Sequence, residues 1–135
     1  MGYLGVEAFW SENMTIETYI ARYIDLCSKL CFEPEDYTKS KVKRHNLAKR
    51  ALIALDNELG KDIDLSEKVY SSLLDSREIG VRLVVGIKCL SLNLLTKEAT
   101  DTLEQICKDG TRMVAMGAER ALKIWRGETN PDEPF

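Results

Sequence analysis

Ile79–Leu92 reads IGVRLVVGIKCLSL, and this stretch decides the fold. Its valines and leucines are typical of a buried strand, which is the alternative interpretation. However, the apolar segment continues to Leu94, whereas strands in globular proteins usually contain about 3–10 residues. Arg82 and Lys88 are six positions apart, which fits neither strict alternation nor one narrow helical stripe. We therefore interpret the segment as a helix that is apolar almost all round, and hence central and covered on two sides.

Amphipathic helices are predicted on both sides of this central segment, because apolar residues recur there at spacings of three and four. Pro34 ends the first helix, and Gly60 ends the second. Asp64-x-x-Glu67 is an acidic capping box that begins the third helix, and Thr96 caps the fifth. The six predicted helices span about 15–31, 36–59, 64–74, 79–94, 96–107 and 111–126.

Two stretches of the sequence resemble each other and indicate an internal repeat. Leu73–Ser76 precedes the helix that ends at Cys89-Leu90, and Ile106–Asp109 precedes the helix that ends at Ala121-Leu122. Each unit is a helix, a polar turn and a second helix with small residues near its middle. Small residues let helices approach closely, and each hairpin leaves an apolar face for the next one to cover. The predicted fold class is therefore all-α, with about six helices forming stacked antiparallel hairpins.

The segment Ile79–Leu90 resembles the second helix of a HEAT-like repeat. Val81-Arg82 occupies the place of the Val-Arg pair of that family, and Cys89-Leu90 occupies the place of its closing small-Leu pair. The second copy, from Val114, lacks the arginine. This resemblance covers about residues 65–126 and implies a short HEAT-like α-solenoid. The whole chain also resembles small bacterial helical proteins, some of which are immunity proteins of polymorphic or contact-dependent growth-inhibition toxin systems.

Composition indicates a single globular domain. The chain has 135 residues, 19 Lys and Arg against 22 Asp and Glu, and a net charge of −3. This mild acidity argues against a surface that coats DNA or RNA, which needs dense positive charge. No apolar run approaches the roughly 20 residues of a membrane span. We therefore expect neither a nucleic acid nor a membrane as partner.

The predicted organisation is an N-terminal arm (1–13), one helical domain (14–127) and a C-terminal tail (128–135). The first residues lack the basic and apolar regions of a secretory signal. The four cysteines form no Cys-x-x-Cys motif, so we expect reduced thiols in a cytoplasmic protein.

His45 is the only histidine, so a Cys-His or Ser-His-Asp device would have to use it. It lies in a cationic stretch without a neighbouring carboxylate, and we expect it at the rim of the domain. Cys27 and Cys31 are four residues apart and share a predicted helical face, but with His45 they make an incomplete metal site. Motifs for nucleophilic, phosphate-binding and zinc-protease chemistry are absent from the sequence. We therefore expect no catalytic residue, metal, cofactor or enzymatic activity.

The first candidate surface is acidic. Five acids lie within twelve residues around the loop after the second helix: Asp56, Glu58, Asp62, Asp64 and Glu67. Capping explains Asp64 and Glu67 in part, and a solvated loop could account for the others. Alternatively, this acidic cluster steers a basic protein such as a nuclease domain, because complementary fields raise association rates.

The second candidate surface is basic. Lys39, Lys43 and Arg50 share a face of the second predicted helix, opposite Leu52 and Leu55. A solvated outer face is the simplest interpretation, since no aromatic residue or glycine is interleaved for base stacking. Binding of RNA or of an acidic partner is the alternative.

These observations lead to the hypothesis of a non-catalytic protein-binding module. The resemblance implies an immunity protein that neutralises a cognate bacterial toxin domain by occluding its active site. The alternative is a HEAT-like adaptor or scaffold with another partner. Both would act through a rigid helical surface.

Overall fold

The computed structural model describes residues 15–32 and 37–130, which form six α-helices and no strand. The helices are α1 (Ile16–Cys27), α2 (Lys39–Leu59), α3 (Ile63–Leu74), α4 (Ile79–Ser91), α5 (Thr96–Asp109) and α6 (Arg112–Trp125). The predicted all-α class is confirmed. The predicted N-terminal arm, Pro34 and most of the predicted tail lie outside the described residues.

α4 is central, as its composition predicted. It packs against α1, α3, α5 and α6. Six of its side chains or glycines are buried: Val81, Leu83, Val85, Gly86, Cys89 and Leu90. The helix is not covered all round, however, because Val84 is only half-buried and Ile87 is exposed.

The remaining helices stack on α4 as neighbouring hairpins. α3 packs against α4 and α5 against α6, while α3 also contacts α5 and α4 also contacts α6. The second hairpin therefore stacks on the first, which agrees with the predicted helical repeat. α1 packs against α2, α3 and α4, so that the N-terminal helix pair covers the open side of the first hairpin.

Two predicted helix boundaries near the N-terminus are wrong. α1 ends at Cys27 rather than continuing to Cys31, because the chain tightens into a final turn in which the Leu30 N–H donates to the Cys27 carbonyl at 3.1 Å. α2 begins at Lys39 rather than Asp36. Its N-cap is Thr38, whose hydroxyl accepts the Lys41 N–H at 3.3 Å.

Two predicted caps are also wrong. The Asp62 carboxylate, not that of Asp64, caps α3 by accepting the Leu65 N–H at 3.2 Å. Asp64 instead lies in the first turn, where its charge favours the helix dipole. α5 has Leu95 at its N-cap, with a left-handed φ of 50°, and Thr96 is its first helical residue. Gly127, with φ of 73°, follows α6 as predicted.

The two small-residue positions of the repeat differ in how closely a neighbour approaches. A Cβ added at Gly86 would lie 3.0 Å from the Leu103 Cδ2 of α5. A Cβ added at Gly117 would meet Leu83 only at 3.7 Å, which is an ordinary contact distance. Close helix approach therefore requires glycine in α4 but not in α6.

Val85→Asp should unfold or strongly destabilise the protein. Val85 is fully buried, and an unpaired carboxylate there should lower the free energy of unfolding by about 3–5 kcal/mol. Urea denaturation followed by circular dichroism measures this. Ile87→Asp on the exposed side of α4 is the matched control and should lower the free energy of unfolding far less. Equal losses for the two variants would contradict the central position of α4.

Gly117→Ala should stabilise the protein, whereas Gly86→Ala should not. Alanine in a helix interior gains up to about 1 kcal/mol over glycine. At Gly117 the added methyl fits, whereas at Gly86 it presses on the buried Leu103. Thermal unfolding of both variants tests this, and a melting temperature for Gly86→Ala at or above that of Gly117→Ala would disprove it.

Candidate partner-binding surfaces

Asp56, the first residue of the predicted acidic cluster, is engaged inside the fold. Its Oδ1 accepts hydrogen bonds from the Tyr23 hydroxyl of α1 at 3.0 Å and from the Tyr70 hydroxyl of α3 at 2.6 Å. The two tyrosine rings meet edge to face, with centroids 6.1 Å apart. One carboxylate on α2 thus joins three helices.

The surroundings of this carboxylate shift several pKa values. Burial raises the pKa of Asp56 above its ordinary value, although the two tyrosine hydroxyls and the charge of Lys88 act in the opposite direction. The pKa values of Tyr23 and Tyr70 are also raised, mainly by burial and secondly by their interaction with Asp56. Both tyrosines therefore remain hydrogen-bond donors at neutral pH.

Two further acids of the cluster have structural roles. Glu58 is half-buried, and its Oε1 accepts the Tyr19 hydroxyl of α1 at 3.0 Å. Asp62 is the cap of α3. Of these five acids, only Asp64 and Glu67 are exposed and have no side-chain hydrogen bond or ion pair to the described residues. Three acids of the predicted acidic cluster, Asp56, Glu58 and Asp62, therefore stabilise the fold, and Asp64 and Glu67 remain as its exposed part.

Asp56→Asn should change the pH dependence of stability. Because the folded-state pKa of Asp56 lies above its unfolded value, the native state binds more protons between the two values. The stability that Asp56 contributes therefore falls as pH rises through this interval. Asparagine keeps an Oδ1 acceptor for both tyrosines but carries no charge. The free energy of unfolding of Asp56→Asn relative to wild type should thus increase between about pH 4 and pH 7.

The matched control for this prediction is Asp56→Ala, which removes the acceptor and leaves two tyrosine hydroxyls without it. It should be less stable than wild type over the whole pH range. The free energy of unfolding of Asp56→Asn minus that of wild type is the quantity compared. If this difference does not vary with pH, or falls as pH rises, the raised pKa of Asp56 is contradicted.

His45 and the cysteines are held in packing and backbone interactions. His45 is half-buried, and its Nδ1 accepts the Cys31 backbone N–H at 2.9 Å. Burial raises the pKa values of the Cys27 and Cys89 thiols to about 12, so both are protonated at neutral pH. Within the described residues, no group of three or more His, Cys, Asp or Glu side chains is arranged to hold a metal ion.

The basic residues of α2 lie on its outer surface, as predicted. Lys39, Lys43 and Arg50 are exposed, whereas the opposite face of the helix packs inward through Ala48, Leu52, Leu55 and Leu59. α2 packs mainly against α1 and α3, so its far side is left uncovered by the described part of the chain.

Two apolar side chains lie among these cations and were missed at the sequence level. Leu47 is 56% exposed and Ile53 is 53% exposed. A shallow depression next to Leu47 is lined by Lys39, Val42, Lys43, Asn46, Leu47 and Arg50. A helical projection could have found both residues, because each is out of phase with the inward series Ala48, Leu52 and Leu55. We call Lys39, Lys43, Leu47, Arg50 and Ile53 the α2 outer face.

Two other clefts lie at the opposite end of the molecule. An apolar cleft of about 150 Å³ between α4 and α6 is lined mainly by Ile87, Leu90, Ala121, Ile124 and Trp125. A charged groove between α5 and α6 contains the ion pairs Arg126–Glu104 and Lys123–Glu119. The charges of this groove thus compensate each other in part, unlike those of the α2 outer face.

A scan against protein-family models and searches of curated proteins and of solved structures give no match to this chain. Among the helices of residues 15–32 and 37–130, none combines the length and apolar character needed to cross a membrane.

Proposed function

We propose that this chain is a protein-binding module that acts without catalysis. The observation that carries the proposal is the α2 outer face, where Leu47 and Ile53 are more than half exposed among cations. Exposed apolar residues with polar residues between them, on a helix face that no described element covers, offer apolar contact area to a protein partner. The buried, protonated thiols of Cys27 and Cys89 and the engaged Nδ1 of His45 support a non-catalytic role.

The finer proposal is an immunity protein that neutralises a bacterial toxin domain. It is supported by the resemblance to small helical immunity proteins and by the shape of α2. This helix has 21 residues and is therefore roughly 30 Å long, which is enough to cover an active-site cleft. Occlusion needs only a rigid surface. Tyrosine hydroxyls of α1 and α3 donate hydrogen bonds to the Asp56 and Glu58 carboxylates and so hold α2 in place on its inner side.

The second candidate is a HEAT-like adaptor. The stacking of the α3–α4 and α5–α6 hairpins favours it, because stacked hairpins present extended surfaces to partners. The apolar cleft between α4 and α6 would give such an adaptor a second contact surface.

Affinity purification of the tagged chain from its native host, followed by mass spectrometry, tests the proposal. We expect a protein partner in fixed stoichiometry that is lost when Leu47 and Ile53 are both changed to serine. The recovered partner is then assayed for toxicity or hydrolytic activity while the chain is titrated in. Complete inhibition at one equivalent supports immunity, whereas an unaffected partner supports the adaptor. The absence of any stoichiometric partner would contradict both.

A further inference from the structure

The α2 outer face forms one continuous stripe along the helix. Lys39, Lys43 and Leu47 are spaced four residues apart, and Arg50 and Ile53 follow at spacings of three. Residues at these spacings are neighbours on a helix surface. Cationic groups therefore border two apolar side chains along most of the length of α2.

Lys39, Lys43 and Arg50 lack the acidic partners that three other lysines of the chain have. Lys29 pairs with Asp25, Lys97 with Asp101 and Lys123 with Glu119, each across one helical turn. By contrast, Lys39, Lys43 and Arg50 have no ion pair with the described residues, and no acid occurs between Tyr37 and Leu55. The described residues therefore leave the positive charge of the α2 outer face without an ion pair, although the whole chain carries −3.

We propose that the α2 outer face binds an acidic amphipathic helix of a partner protein. Carboxylates of the partner would meet Lys39, Lys43 and Arg50, while its apolar side chains would pack on Leu47 and Ile53. This inference rests on the proposed protein-binding function and specifies the chemistry of the partner at that surface. Pairing of amphipathic helices through apolar residues at three- and four-residue spacing is an established mode of recognition.

The two apolar residues distinguish this partner from a nucleic acid. A phosphate backbone would use the three cations but would leave Leu47 and Ile53 exposed. Single-stranded nucleic acids also need aromatic side chains on which bases stack, and none lies between Lys39 and Ile53. An acidic helix with apolar residues uses both the charge and the apolar surface.

The test uses a fluorescein-labelled peptide of about 18 residues, in which leucines recur at spacings of three and four and glutamates fill the other positions. Fluorescence anisotropy measures its binding to the full chain. One control peptide has lysine in place of glutamate, and another has the same composition with the leucine spacing scrambled. A labelled poly-U RNA of equal length tests the nucleic-acid alternative.

Two double variants locate the binding surface. Lys43→Glu with Arg50→Glu should weaken binding at least about tenfold, and Leu47→Ser with Ile53→Ser should do the same without changing the charge. Lys61→Glu with Lys68→Glu is the matched control, because it makes the same charge change at exposed positions outside the stripe. Circular dichroism verifies that each variant is folded. Binding of the wild type should weaken between about 0.05 and 0.5 M salt, as screening predicts.

Several results would overturn the inference. These are no binding of the glutamate peptide, equal binding of either control peptide, equal loss of binding in the Lys61 and Lys68 variant, or tighter binding of poly-U through the same cations.

Zero-length cross-linking that joins Lys43 to Glu7 or Glu12 of the same chain would assign the α2 outer face to an intramolecular contact. A concentration-dependent dimer abolished by Leu47→Ser would assign it to a second copy. If the purification described above recovers a partner that contacts another surface, the binding function stands and only this inference fails.

Discussion

The carboxylate of Asp56 is the interaction on which the arrangement of the N-terminal half depends. It holds α2 against α1 through Tyr23 and against α3 through Tyr70. Because one residue corresponds to about 100° of rotation on an α-helix, fixing this side chain also fixes which face of α2 points inward. Leu52, Leu55 and Leu59 are thereby directed into the core, and the basic side of the helix is directed outward. The exposed stripe is in this sense a consequence of a buried hydrogen-bond network.

Much of the fold could be predicted because it follows from local periodicity. The apolar spacing predicted all six described helices, and the length and charge spacing of Ile79–Leu94 distinguished a central helix from a strand. The repeat correctly placed a close approach at Gly86, where an added Cβ would lie only 3.0 Å from Leu103 Cδ2. The helix ends were less predictable. Several potential caps lie within a few residues of each other, and Asp62 and Asp64 differ only in which one the tertiary fold places before the first turn.

The acidic cluster shows why the candidate site was harder to predict than the fold. Asp56 is bonded to residues 33 and 14 positions away in the chain, and Glu58 to one 39 positions away. A local sequence pattern does not indicate such distant contacts. Acids that accept hydrogen bonds from a neighbouring helix therefore cannot be distinguished in the sequence from acids that face solvent. The cations of α2 were easier to place because their face is opposite a clear apolar stripe. Leu47 and Ile53 were not predicted because the pattern of charges does not show whether the apolar residues between them face solvent.

The position of the basic stripe on an acidic chain has a consequence for recognition. The chain has more acidic than basic residues, and three lysines outside the α2 outer face are paired with acids one turn away: Lys29 after α1, Lys97 on α5 and Lys123 on α6. Under the proposed binding mode, an approaching anionic protein would meet three cations on the α2 outer face that have no ion pair with the described residues. Such an asymmetric field orients the encounter and raises its rate more than it adds affinity. Under the same proposal, affinity would come from desolvation of Leu47 and Ile53, so that charge would orient the partner and apolar contact would retain it.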